Sequence, residues 1–482
     1  MTVLLIGAVL MRIVSLDDRG LSKEELVTLC LVNGHPTGPF GELIDNADVP
    51  DRFVRKDLRD RKTYSNVVHA TITANGNSVL YHLILSWWTK AFGNTNFALR
   101  FVSLFFGAMT VILGYYFARQ LFSERVAVLT AVMLCLHPLL LEYSQLARAY
   151  MPAGFFILLS TYSLYQVSVA KKHNWLHIPL YSIASLAALM THYLVIYILI
   201  AHLLLLIFFH GQKKAFLQYG IMGLIVIVLF TFWWFNGGEA AKSIYVDLLV
   251  NTEGKSFGWN QKGDYSLPVN VWYSLDQLFG LKIGVDAWFG WLYMVLLIPA
   301  TALIFALLKI RKSEYFRPAM FVLVPLIAQV FLMLCTSVLL GNQFLFEPEY
   351  FSFAIPFACL LVAFGIDRLL LMGGRFTWIG YAIAVVMIGM MSYSSILFYL
   401  KAKTDYSNSD PFIYHKAASF VEDESAKSDT IVFSNRKHAL ITNIYMHKSF
   451  DNIQLLDTTL TKGEVIRRNG TIIDKFFIIE PK

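Results

Sequence analysis

About eleven apolar stretches of membrane-spanning length divide this chain, and Lys and Arg gather in every second gap between them. A hydrocarbon core of roughly 30 Å takes about 20 apolar residues of helix to cross. Backbone in hydrocarbon must satisfy its own polar groups, so such runs fold as helices. The expected class is an all-α polytopic membrane protein of about eleven transmembrane helices. Composition agrees, because charged residues are only 15% of the chain and mean hydropathy is +0.55. Soluble domains carry about 25% charge.

The net charge of +7 is spread over short loops between apolar runs. That is an orientation pattern, and it argues against a nucleic-acid partner. Cys135, Cys335 and Cys359 lie in apolar runs and Cys30 in a polar loop, which excludes a disulfide scaffold and a CxxC metal site. The run Met1 to Val14 lacks a small-residue cleavage site and reads as a short first span.

Sidedness follows from the basic gaps. With Met1 on the inside, the inner loops hold Arg119 and Arg125, Lys171 and Lys172, Lys213 and Lys214, Lys309 to Arg317, and Arg368 and Arg375. The outer face then receives the long first loop, 17–79, and a second long loop, 236–286. Short outer turns fall at Glu142–Tyr150, Thr191–Tyr193 and Gly341–Tyr350. The run Leu80–Phe92 is short and carries His82 and Lys90, so it reads as an interfacial helix. Residues 1–400 form the transmembrane domain, and 401–482 form a small outer α/β domain. Strands are expected there at Thr430–Phe433, Ile453–Leu456 and Phe476–Ile479, with helices at Pro411–Val421 and Ala439–Met446. Asn469-Gly470-Thr471 fits an N-glycosylation sequon.

Chemistry could sit at five places. Ser22-Lys23-Glu24-Glu25 is a capping-box pattern opening a helix just beyond the first span. Of two adjacent carboxylates one can cap, while the other serves as a general base or holds a divalent cation. Plain capping explains the pair as well. In the turn Glu142–Tyr150, Arg148 at a membrane boundary suits a phosphate, or it snorkels to lipid headgroups. Gln145 and Tyr150 flank it. His192-Tyr193 could bind phosphate, share a metal or take a proton, or simply fill a tight turn. Tyr350, after Glu347-Pro348-Glu349, is an outer aromatic that could equally be an interface anchor. Asn75, Asn77 and Tyr81 suit sugar or phosphate recognition, and an ordinary turn equally.

The segment Asn75 to Tyr150, NGNSVLYHLILSWWTKAFGNTNFALRFVSLFFGAMTV through FARQLF to LHPLLLEYSQLARAYM, resembles bacterial membrane glycosyltransferases of the GT-C fold. The group contains protein O-mannosyltransferases and lipid A aminoarabinose transferases. The resemblance implies a polyprenyl-phosphate-linked sugar as donor, and a lipid, glycan or protein acceptor. It also implies inverting transfer at the outer face of the bacterial inner membrane. Glu24 and Glu25 fall where the family carries its loop-one acid, and Arg148 where an arginine would neutralise the departing phosphate. His192-Tyr193 and Tyr350 match a His-Tyr pair and a late aromatic. The sequence departs from the family pattern at Glu24 for Asp, Asn77-Ser78-Val79 for His-Pro-Pro, Leu146 for Glu and Glu349 for Arg.

The expected function is therefore an integral membrane glycosyltransferase. Glu24 and Glu25 are the catalytic candidates. Arg148, His192 and Tyr150 are expected at the donor phosphate, and Asn75, Asn77, Tyr81, Gln145, Tyr193 and Tyr350 at substrate. No cofactor is required by the sequence, and a divalent cation at Glu24 or Glu25 is left open. A flippase for lipid-linked sugars, or an inactive relative, are the alternatives. No duplicated halves are visible, which disfavours a transporter.

Overall fold

The computed structural model describes residues 2–14, 16, 21–35, 62–74, 77–169, 174–208, 213–237, 274–280, 299–303, 314–339, 348–404, 430–433, 452–455, 471–473 and 476–479. The chain forms two compact units. One comprises Met1–Val14, Asn75–Tyr81 and Arg100–Tyr399, the other Ser15–Ala74, His82–Leu99 and Leu400–Lys482. The helices in chain order are α1 (Thr2–Ile13), α2 (Lys23–Val32), α3 (Tyr64–Ala74), α4 (Val79–Phe92), α5 (Asn96–Leu121), α6 (Glu124–Leu136), α7 (Pro138–Ser144), α8 (Tyr150–Ser168) and α9 (Asn174–Thr191). After a 3₁₀ turn at Tyr193–Val195 come α10 (Ile196–Phe208), α11 (Lys213–Gly237), α12 (Phe316–Leu339), α13 (Pro348–Phe351), α14 (Ile355–Leu371) and α15 (Gly374–Thr404).

Four described helices are long and apolar enough to cross a membrane: α5, most of α11, α12 and most of α15. A fifth span results if α6 and α7, bent by 57° at their junction, count as one. Apolar stretches of α1, α9 and α10 are shorter. The expected span 287–308 lies mostly outside the described residues.

In the first unit α14 is the centre. Phe357, Cys359, Leu361, Ala363 and Phe364 are all buried, so every face of the helix is covered. A helix that is apolar all round belongs inside a bundle. It packs against α6 and α12. By contrast, α11 leaves Leu224, Ile227, Val228, Phe232 and Phe235 exposed. Such a face is stable only where the surroundings are apolar. The molecule is a multi-pass membrane protein.

The junction between α6 and α7 has a local cause. Pro138 has no N–H and so cannot continue the helix through His137, whose ψ of 118° is already extended. The expected span 125–141 is thus two helices, and α7 runs on into the expected turn at 142–150.

In the second unit α2 packs on α3. The capping box forms as the sequence predicts. Ser22 Oγ accepts from Glu25 N at 3.2 Å, and Ser22 N donates to Glu25 Oε2 at 2.9 Å. The unit also holds a four-stranded sheet, β1 (Thr430–Phe433), β2 (Asn452–Leu455), β3 (Thr471–Ile473) and β4 (Phe476–Ile479), in the order β2-β1-β4-β3. β1 and β2 are parallel, and β4 pairs antiparallel with both β1 and β3. Three of these strands fall where apolar patches predict them. The fourth, β3, overlaps the sequon at Thr471. The helices expected at Pro411–Val421 and Ala439–Met446 lie outside the described residues.

Candidate active site

The first unit brings most of the sequence-predicted site residues together. Arg148 lies in the turn between α7 and α8, where its N–H closes onto Leu146 O at 2.8 Å. Its carbonyl accepts from Ser103 Oγ at 2.9 Å, and Ser103 Oγ lies 3.4 Å from the Tyr81 hydroxyl. These bonds fix the backbone beneath the guanidinium from α5 and the start of α4. The side chain is half-buried, with its carbon Cζ 5.4 Å from the Tyr150 ring centroid. Its Nη2 donates to the Tyr150 hydroxyl at 3.1 Å.

Tyr150 in turn donates to Glu349 Oε1 at 3.3 Å, and Tyr143 donates to Glu349 Oε2 at 3.3 Å. A carboxylate only accepts, so both hydroxyl protons point to Glu349. That orientation leaves a lone pair of the Tyr150 oxygen facing Arg148. Glu349 and Tyr143 were not among the expected site residues. Glu349 stands out in the sequence as part of the acidic outer turn before Tyr350 and as a departure from the family pattern, with no role assigned to it. The signal for Tyr143 was its place in the same aromatic turn as Arg148.

An aromatic cluster continues from here. The His192 ring lies 5.7 Å from Tyr150, 5.5 Å from Tyr350 and 5.1 Å from Phe353. Tyr350 is 6.3 Å from Tyr150, and its carbonyl accepts from Gln329 Nε2 at 3.1 Å. Tyr193 N donates to Asn77 Oδ1 at 3.3 Å, and Asn77 Oδ1 also accepts from Ser78 N at 3.0 Å. Ser78 has a φ of +61°, a left-handed conformation costly for a residue with a Cβ.

Gln145 is buried, and its amide nitrogen donates to Arg12 O at 3.1 Å and Val14 O at 2.9 Å. Its donor is therefore spent on the end of α1. Asn75 lies outside the described residues. Glu24 and Glu25 belong to the second unit. Glu25 is buried and closes the capping box, whereas Glu24 is exposed. Among the described residues no group of three or more His, Cys, Asp and Glu could hold a metal.

His192 is neutral. Leu194 N donates to its Nδ1 at 3.3 Å, which requires a lone pair there. Burial, and then the positive charge of Arg148, hold the imidazole down to about 3. The unfolded chain takes a proton below about 6.5 that the folded residue refuses, so His192's contribution to stability falls as pH drops below that value. Thermal melts at pH 7 and pH 5 should show the wild type losing more on acidification than His192→Gln.

Beside the cluster lies an apolar cavity of about 810 Å³ in the same unit, lined by residues of α9, α10 and α11. Leu189, Tyr193, Leu194, Leu203, Ile227 and Phe230 are among the residues that supply its walls. The Tyr193 hydroxyl accepts from Trp233 Nε1 at 3.1 Å.

Residues 77–235 match the family model for dolichyl-phosphate-mannose-protein mannosyltransferase. That segment holds Asn77, Tyr81, Arg148, Tyr150, His192 and Tyr193. No curated protein sequence matches the chain. The fold is similar to that of ArnT from Cupriavidus metallidurans bound to undecaprenyl phosphate, with a TM-score of 0.55 at 12% identity over 95% of this chain and 86% of that one. The apo state of the same protein gives a TM-score of 0.53 at 12% identity, with the same coverage. At this identity the likeness shows the fold alone, and that fold is the GT-C fold which the sequence leads us to expect.

Proposed function

We propose that this protein is an integral membrane glycosyltransferase that moves a sugar from a polyprenyl-phosphate donor to a lipid, glycan or protein acceptor at the outer face of the bacterial inner membrane. The observation that carries the reading is Arg148. It is a half-buried cation whose turn is held by Ser103 and whose side chain is held by Tyr150. A charge kept at a membrane boundary is costly unless it is used. Support comes from the family match over the segment that contains it.

In this reading Glu24 accepts the proton of the acceptor hydroxyl. The resulting oxygen attacks the anomeric carbon opposite the phosphate, the carbon–phosphate-oxygen bond breaks, and configuration inverts. Arg148 stabilises the charge on the departing polyprenyl phosphate, an electrostatic role that grows along the reaction. Neutral His192 offers a hydrogen-bond donor without adding charge. Tyr150, Tyr193 and Tyr350, with Asn77 and Tyr81, shape the donor side, and Gln145 holds the turn. The apolar cavity takes part of the polyprenyl chain.

Tyr150→Phe removes the bridge between Arg148 and Glu349. Donor KM is expected to rise about tenfold, or about 1.4 kcal/mol, with a smaller change in kcat. Steady-state kinetics in proteoliposomes with varied donor check this. The reading as a whole is tested by lipid and glycan mass spectrometry of cells lacking the protein. It expects one sugar of defined mass to vanish from an envelope component, and an unchanged profile counts against it.

A further inference from the structure

Arg12 lies within the first apolar run and is fully buried. An ionisable residue there calls for an explanation. Its Nη2 donates to Leu134 O at 3.2 Å, its Nε to Ser144 Oγ at 3.0 Å and its Nη1 to Ala8 O at 3.0 Å. Leu134 O is the carbonyl that the N–H of residue 138 would satisfy in a continuous helix. Residue 138 is proline, so that acceptor is left over inside the bundle. Arg12 supplies the missing donor.

Leu136 O, also at the end of α6, is served by a side chain in the same way. Leu136 O accepts from Ser395 Oγ at 2.7 Å. Ser144 Oγ also donates to Leu140 O. In return the end of α1 is gripped by Gln145, which donates to Arg12 O and Val14 O. Gly107 on α5 makes room, since a Cβ there would fall 2.2 Å from Ser144 Oγ and 3.1 Å from Arg12 Nε. Arg148 follows Gln145 by three residues.

We infer that Arg12 is a positioning residue. It replaces the hydrogen bond that Pro138 removes, sets the bend between α6 and α7, and so fixes the turn that presents Arg148. The part concerning Arg148 rests on the phosphate reading above, whereas the link between Arg12 and Pro138 does not.

The test compares Arg12→Met, Pro138→Ala and the double variant in detergent. It measures thermal midpoint and the affinity for a short-chain polyprenyl phosphate. Arg12→Met should lower the midpoint by several degrees and weaken polyprenyl phosphate about tenfold. In the Pro138→Ala background the same substitution should cost much less stability, because the restored N–H serves Leu134 O. Binding should stay weak in the double variant, since a straighter junction moves the turn. Additive losses of stability overturn the link, and unchanged affinity in Arg12→Met overturns the positioning role. Should Arg12→Met fail to fold, Gly107→Ala crowds Ser144 away from Arg12 and should weaken binding similarly, and unchanged binding there overturns the positioning role. A wild type that does not bind polyprenyl phosphate overturns the reading of Arg148, and the thermal coupling alone then decides the link.

Discussion

Glu24→Gln should lower glycosyl transfer by about 10²–10⁴-fold, the range typical for loss of a general base, while leaving the protein folded. The two acids at the start of α2 have separate tasks. Glu25 is buried and bonded to Ser22 N, so its oxygen is committed to the cap. Glu24 is exposed and free of the capping box. Glutamine at position 25 still offers an oxygen to Ser22 N, because a capping box accepts either residue. Glu25→Gln should therefore keep most of its activity, and Glu25→Ala, which removes the acceptor of Ser22 N, should cost about 1 kcal/mol of stability, the net worth of one hydrogen bond. Transfer rates and melts of the three variants, measured side by side, check the division. Full activity in both glutamine variants would remove the proposed base, and loss confined to Glu25→Gln would move it by one residue.

Arg148→Ala should cost about 10²–10³-fold in transfer, the scale for removing one preorganised charge-stabilising donor. Arg148→Lys should recover only part of that loss. Lysine keeps the charge but lacks the planar fork that can meet Tyr150 and a phosphate together. The guanidinium's bond to Tyr150 at 3.1 Å uses one of five N–H donors. Phosphate binding is expected to weaken along with kcat. A variant whose kcat and KM both match the wild type would mean that Arg148 only snorkels.

The sequence made local features legible. Ser22 and Glu25 sit three apart and cap each other, so the motif needed no tertiary information. The helix read at Leu80–Phe92 is observed at Val79–Phe92. Arg148, Tyr150, His192 and Tyr350 were each nameable because polar and aromatic residues stand out between apolar runs. Their partnership was not legible. Tyr143 and Tyr150 meet Glu349 across 206 and 199 residues. Nothing in a local pattern says which loop end meets which.

Pro138 broke a run that hydropathy alone presents as one span, because the apolar character continues through the break. Arg12 reads in the sequence as part of a short first span, although a charge within an apolar run is itself a signal, and the side chain is buried. Gln145 looked like a substrate ligand from its place beside Arg148, but its amide nitrogen faces the end of α1. β3 is only three residues long, below the length at which alternation can be read.

The most direct measurement supplies purified protein in proteoliposomes with a synthetic polyprenyl-phosphate sugar and an acceptor extract, and follows the lipid and the sugar separately. Each sugar arriving on acceptor should be matched by one free polyprenyl phosphate, and Glu24→Gln and Arg148→Ala should lower both together. Movement of the intact lipid-linked sugar across the bilayer, with no polyprenyl phosphate released, would contradict the proposed transfer.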